Sequence, residues 1–377
     1  MKKKTKDNNA LRLFFTDTIL IIIFILPFLS GCEKKNPIKI GFVGGLTGAF
    51  DELGINGRNG VILAVEECNN AGGINGARLK LICKDDKQNE EQAVKVDKEL
   101  ISEGVAAIIG HMTSTMSVKV LPIINKARIP MISPTTSKLS GLDDYFIRLL
   151  PYNQTNRPLA QYAYKQLKLR KIAILYDLSN IDFSNLIRDD ITKEFESSGG
   201  KIVLSKAFTS GPDIDYIELI KILLEPQPDG LLIIAGAIDI AMICQHLRKS
   251  GSKIPVMHNG WAGTDELIQY GGPAIEGIIF PIMYNKDSQN KSFLEYKKRF
   301  IQKFGHNPDF AAVYAYEAAQ LLFSALSESS DRKKLKDIII NQKLHGLQGR
   351  ITFDKYGDAI RKTFIIVIEN KKIKVLN

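Results

Sequence analysis

Short apolar runs and amphipathic stretches alternate along this chain from Ile38 to His258, and that alternation restricts it to one class of architecture. Ile38 to Val43, Leu79 to Cys83, Val105 to Ile109 and Ile129 to Ile132 are too short to be helices and too apolar for strands with one wet face. Between them, Asn59 to Asn70, Glu90 to Glu103 and Ser117 to Lys126 have helical spacing. In the first of these, Val61, Ile62, Val65 and Cys68 share one side, and Gly72-Gly73 closes the segment as a C-cap would. A strand covered on both faces and followed by a helix is the unit of a doubly wound parallel sheet.

A second series begins after Pro151. Gln154 to Lys168, Phe183 to Ser198, Tyr216 to Leu224 and Ile240 to Ser250 are predicted helices. They interleave with predicted strands at Lys171 to Tyr176, Lys201 to Phe208, Gly230 to Ile234 and Ile254 to His258. Two such series predict two similar α/β lobes. Helical spacing returns at Ser292 to Phe304, Phe310 to Ser327 and Leu335 to Asn341, before strand-like Ile351 to Phe353 and Phe364 to Glu369. No Pro- or Ser-rich linker separates the halves, so the connections are short, as hinges are.

The N-terminus is an export signal by pattern. Lys2, Lys3, Lys4, Lys6 and Arg12 precede the apolar run Ile19 to Leu29. That run spans about ten residues, against the roughly twenty a membrane-crossing helix needs. It ends in Leu29-Ser30-Gly31-Cys32, which resembles a bacterial lipobox. The resemblance implies residues 1–31 as a lipoprotein signal peptide, a diacylglyceryl group on Cys32 and residues 32–36 as a tether from the membrane. Without the five basic residues and Asp7 and Asp17, the formal charge falls from +10 to +7. The basic residues are scattered without interleaved aromatics, which argues against nucleic acid as a partner. Cys68, Cys83 and Cys244 remain, an odd number without CxxC spacing. They read as small buried hydrophobes rather than a zinc site, with a Cys68–Cys83 bridge left open.

From Ile38 onward the chain resembles the branched-chain amino acid (Leu/Ile/Val) binding-protein family, the type I periplasmic binding fold that serves ABC importers. The likeness is carried by Gly41-Phe42-Val43-Gly44-Gly45-Leu46-Thr47-Gly48, Asn59-Gly60 and Asn69-Asn70-Ala71-Gly72-Gly73-Ile74-Asn75-Gly76. Asp85-Asp86, Ile109-Gly110, Pro130-Met131-Ile132-Ser133-Pro134 and Phe353-Asp354-Lys355-Tyr356-Gly357-Asp358 continue it. It implies two doubly wound lobes joined by a hinge of three crossovers. The N-lobe would comprise residues 37–150 and 282–362, the C-lobe residues 151–281 and 363–377.

Ligands of open parallel sheets sit beyond the carboxyl ends of the strands, near helix N-termini. The segment Gly110-His111-Met112-Thr113-Ser114-Thr115 matches the family's carboxylate-binding loop, which implies Ser114 and the neighbouring Thr115 as ligand contacts. Ser114 would equally serve as a helix N-cap, and the two roles are compatible. Thr135, Thr136 and Ser137 follow the next strand and by resemblance offer a carbonyl and hydroxyls to a ligand donor; a self-satisfied polar turn remains the alternative. On the C-lobe, Phe183 stands where the family usually has tyrosine, and Trp261 lies in the polar loop Asn259 to Gly263. The family's second tyrosine falls near Gly236-Ala237, and its ammonium-pairing acid near Gly260-Trp261, where no acid occurs. Asp177, Asp182 or Asp239 would have to compensate. The ligand is therefore expected to be an amino acid, an amide or a small organic acid.

No GxGxxG, P-loop, HExxH or GxSxG occurs, and the five histidines are scattered, so neither catalysis, a cofactor nor a metal is expected. The expected protein is a monomeric, exported, membrane-anchored solute-binding lipoprotein that closes by its hinge and docks on an ABC permease. A surface receptor that reports the same ligand to a sensor partner is the alternative.

Overall fold

The structure, a computed structural model, describes residues 35–48, 51–136, 144–150, 153–370 and 372–376. The first series of apolar runs forms a parallel sheet of β1 (Ile38–Gly44), β2 (Leu79–Asp85), β3 (Ile108–Ile109), β4 (Met131–Ser133) and β5 (Phe146–Arg148), ordered β2-β1-β3-β4-β5. Helices α1 (Asp51–Asn70), α2 (Glu90–Ser102) and α3 (Ser114–Ala127) connect its first four strands. The second series supplies α4 (Asn153–Lys165), β6 (Lys171–Asp177), α5 (Ile181–Ser197), β7 (Lys201–Phe208), α6 (Tyr216–Leu224), β8 (Gly230–Ile234), α7 (Ala237–Lys249), β9 (Val256–His258), α8 (Asp265–Gly271) and β10 (Ile279–Ile282). Next come α9 (Lys291–Phe304), α10 (Phe310–Glu328) and α11 (Arg332–Asn341). A small antiparallel sheet of β11 (Leu344–Gly346), β12 (Gly349–Phe353) and β13 (Ala359–Ile360) follows. Finally β14 (Phe364–Glu369) and β15 (Lys372–Val375) add antiparallel strands to the second sheet, which is ordered β15-β14-β10-β9-β8-β6-β7.

The alternation of side chains along each strand explains why these runs are apolar throughout. In β6, Ile172 and Ile174 pack with α4 and α5, while Ala173 and Leu175 pack on the opposite face with α6 and α7. In the first sheet, Ile40, Phe42, Ile109 and Ile132 face α1 and α10, and Val43, Ile108 and Met131 face α2 and α3. A sheet covered on both faces has no polar side to offer, and burial of these side chains is its main stabilisation.

The chain passes between the two cores three times. Leu149, Met283 and Ala359 pack in the first core; Leu159, Phe280 and Ile365 pack in the second. Three crossings link the two cores, the geometry of a hinge.

Strands β5, β10, β11, β13 and β15 were not apparent in the sequence. Strand β5 ends in an arginine, yet Arg148 is buried, bonded to Asp144 at 3.1 Å and Asp358 at 3.0 Å. Strand β10 contains Pro281, which weakens any strand reading. Cys68, Cys83 and Cys244 are free thiols.

Helix α1 also begins eight residues before its predicted start at Asn59. Gly54, Gly57 and Gly60 hide it from a propensity argument, because glycine disfavours helix by about 1 kcal/mol relative to alanine. Here they permit contact. A methyl group at Gly60 would overlap the Ala312 carbonyl oxygen of α10, and one at Gly54 would overlap the Gly45 carbonyl. Gly60→Ala is therefore expected to lower stability by about 1–3 kcal/mol through overpacking, despite alanine's better helix propensity. Urea denaturation measures this, and unchanged stability would contradict so close a seating of α1 on α10.

Candidate ligand-binding site

In the first lobe, two loops at the carboxyl ends of β3 and β4 are tied together by hydroxyl groups. Ser133 Oγ donates to the His111 carbonyl at 2.6 Å, Thr135 Oγ1 to the Met112 carbonyl at 2.5 Å, and Thr136 Oγ1 to the His111 carbonyl at 3.3 Å. Ser117 of α3 joins Thr136 at 2.8 Å. These hydroxyls are spent on backbone carbonyls that the loops would otherwise bury unsatisfied.

His111 anchors the same loop from inside. Its Nδ1 lies 2.7 Å from Asp86 Oδ2 and its Nε2 3.2 Å from Asp97 Oδ1, all three residues being fully buried. Burial opposes the imidazolium charge, but the Asp97 and Asp86 carboxylates outweigh it and lift the pKa to about 10. The histidine is thus a cation at neutral pH.

The second lobe contributes two loops. Strand β6 ends at Asp177, whose carboxylate accepts the Ser179 and Ser210 N–H groups; a tight turn then delivers Asn180 to the start of α5. Strand β9 ends at His258, stacked 4.0 Å over Phe280, and its Nδ1 accepts the Gly260 N–H at 3.0 Å. Burial alone pushes this imidazole down to about 3, so it stays neutral. Gly260 takes φ +93°, and a side chain there would strike the Pro281 carbonyl. That conformation presents Asn259 and Trp261.

A cavity of about 790 Å³, counting its open mouth, lies between these loops. Leu53, Met112, Thr135, Phe310 and Tyr314 line it from the first lobe, and Asn180, Phe183, Ile187, Asn259 and Trp261 from the second. Phe183 and Trp261 meet edge to face, centroids 5.5 Å apart. Of the residues expected at the site, Thr135, Phe183 and Trp261 lie on this wall. Ser114 opens α3 and is buried off the wall, and Thr136 sits inside the hydroxyl network. Thr115 bridges the lobes instead, its N–H and Oγ1 each 3.3 Å from Asn180 Oδ1 and its Oγ1 3.3 Å from the Asp182 N–H. Ser137 and Cys32 lie outside the described residues. Asn180 and Asn259 were missed as site residues by sequence reasoning, although Asn259 directly follows a predicted strand and Asn180 lies in the loop after another.

None of Asp177, Asp182 and Asp239 lines the cavity. Asp239 instead accepts the Ser210 and Tyr216 hydroxyls at 2.7 Å, beside a wider opening past Leu53 and Trp261 that also holds Asp51, Glu52 and Glu266. Glu52 of α1 and Glu266 of α8 share a hydrogen bond across the lobes. Burial, that bond and the nearby Asp309 raise the Glu52 pKa to about 9, so the closed pair holds a proton at neutral pH.

Two facing lobes of this topology, with a cavity at the strand ends and both walls contributing, define a solute-binding protein. The sequence profile of the periplasmic binding protein family matches residues 37–372, and the chain belongs to that family. It is 24% identical over 353 residues to the leucine-, isoleucine-, valine-, threonine- and alanine-binding protein of Pseudomonas aeruginosa, covering 91% of this chain and 92% of that one. A leucine-binding protein from Thermotoga maritima superposes with TM-score 0.82 at 24% identity, over 90% of this chain and 98% of that one. A solute-binding protein of an ABC transporter from R. palustris, in complex with benzoate, does so with TM-score 0.79 at 20% identity, over 90% and 95%. The family binds solutes and does not transform them, so this protein is not an enzyme.

The two buried histidines set opposite pH limbs. From pH 6.5 to about 10 the fold keeps a proton on His111 that the unfolded chain has released, so stability falls as pH rises through that window. From pH 6.5 down to about 3 the unfolded chain binds a proton that buried His258 refuses, so stability falls on acidification. His258→Phe is expected to flatten the acid limb and leave the alkaline limb intact. Urea midpoints measured across both windows test this; an unchanged acid limb would contradict a buried neutral His258.

Proposed function

We propose that this protein captures a small molecule with an apolar body between its lobes, outside the cytoplasmic membrane, and delivers it to the permease of an ABC importer. One observation supports this most: an apolar cavity is walled by Phe183 and Trp261 from one lobe and by Met112, Leu53 and Thr135 from the other. A guest touching both walls favours the closed form by its differential contacts and leaves unchanged when the lobes part. The relatives named for leucine and related amino acids, and the one holding benzoate, fit the same class of guest. In this reading residues 37–150 and 282–362 move as one lobe against 151–281 and 363–377. Thr135, Phe183 and Trp261 contact the ligand, and Ser114, Thr115 and Thr136 form and hold the helix end behind it. One chain supplies the whole site, so a monomer suffices.

Trp261 is the only tryptophan, so its emission reports the cavity directly. Leucine, benzoate and benzamide are suitable probes. At least one is expected to shift that emission and to reduce the radius of gyration in small-angle scattering, and Phe183→Ala should weaken it by about 10-fold or more. No emission change and no compaction with any of them would reject the cleft as the solute site.

The export signal supports a lipid anchor on Cys32. Cys32→Ser is expected to move the protein from the membrane fraction to the soluble exported fraction. Retention in the membrane fraction would reject the anchor.

A further inference from the structure

We infer that the solute is an uncharged molecule recognised by the Asn259 side chain through an amide-like edge, one acceptor beside one N–H donor, attached to an apolar or aromatic body. This rests on the reading of the cavity as the solute site and narrows it to a chemical class.

The first observation is Asn259 itself. It is 6% exposed, lines the cavity, and neither its Oδ1 nor its Nδ2 has a hydrogen-bond partner among the described residues. A buried carboxamide with both ends unmet is costly, and natural proteins satisfy such groups unless a ligand does so. Several other polar groups on the wall have partners within the protein. Thr135 donates to the Met112 carbonyl, Tyr284 donates to the Pro308 carbonyl at 2.7 Å, and the Asn180 carbonyl accepts from Thr115. Among the described residues of the wall, Asn259 carries a donor and an acceptor that are both unmet. Its complement is the same pair reversed, as a carboxamide or lactam carries.

The second observation is charge. Among the described residues that line the cavity there is no Asp, Glu, Lys, Arg or His. An ammonium would enter without a carboxylate, and a carboxylate without a cation, each losing hydration that nothing restores. The helix end that would receive a carboxylate, the first turn of α3, already gives its Thr115 N–H to Asn180. The adjoining opening carries Asp51, Glu52, Asp239 and Glu266, a poor approach for an anion. The cavity therefore selects against both signs. The third observation is shape: Phe183 and Trp261 form an edge-to-face corner beside Asn259, suited to a flat ring or a branched aliphatic group.

The test uses pairs that differ only at the polar end: benzamide against benzoate, and isovaleramide against isovalerate, titrated into the full-length protein by calorimetry and Trp261 emission. The amide is expected to bind more tightly in at least one pair, and Asn259→Leu to weaken it about 10- to 100-fold. Asn259→Asp keeps the shape and replaces the donor end by a second acceptor, so it should shift preference from benzamide to benzamidine, which offers N–H donors at both positions. That gain cannot come from misfolding, and thermal melts of both variants check the fold. Tighter binding of the acids, or unchanged amide affinity in Asn259→Leu, would overturn the amide assignment while leaving the cleft as the solute site. No binding of any of the four, with no compaction, would overturn both.

Discussion

Buried charge at the carboxyl edge of the first sheet holds the binding loop in place. Asp86 follows the end of β2, Asp97 lies on α2, and His111 begins the loop after β3, so one imidazolium joins three elements. Its two carboxylates leave it little freedom, and they make it a cation where burial alone would neutralise it. Removing the histidine would leave two carboxylates inside the lobe without a counter-charge, a loss on the order of 3–5 kcal/mol. Everything the loop presents, from the Met112 side chain to the first turn of α3, depends on that anchor. The hydroxyls of Ser133, Thr135 and Thr136 then fix the neighbouring loop to it through the His111 and Met112 carbonyls.

The second lobe solves the same problem without charge. His258 stands at the corresponding end of β9, yet no carboxylate among the described residues meets it, and it stays neutral to accept one backbone N–H. The difference follows from the surroundings: His111 has acids on both sides, while His258 has Phe280 on its face. The Asn259–Trp261 loop is shaped by the Gly260 N–H bond to His258, by the Gly263 N–H bond to the Gly260 carbonyl and by the positive φ of Gly260.

Most of the architecture was legible in the sequence, because strands covered on both faces leave unbroken apolar runs such as Gly230 to Ile234. What escaped did so for local reasons. Pro281 disguised β10, the buried Arg148 disguised β5, and the glycines of α1 read as loop although they are there to admit Ala312. The site was legible by family likeness only in part. Likeness to a carboxylate-binding pattern drew attention to Ser114 and the threonines, whereas the wall is built of Phe183, Trp261 and two asparagines. No spacing rule flags an asparagine whose importance lies in having no partner; only packing reveals that.

Among the described residues, the polar contacts named above between the lobes are hydrogen bonds. Thr115 meets Asn180 and Asp182 through bonds of 3.3 Å, long for their type, and neutral bonds contribute only about 0.5–1.5 kcal/mol each. The Glu52–Glu266 contact needs a proton and so weakens as pH rises toward 9. A small guest tips the equilibrium between closed and open forms by its differential contacts with the two walls. Stronger bridges would close the cleft on nothing. The Asn180 carbonyl also occupies the α3 helix end, so closure itself satisfies that N–H group. The guest is thereby left to satisfy what closure cannot, and in this cavity that is the amide of Asn259.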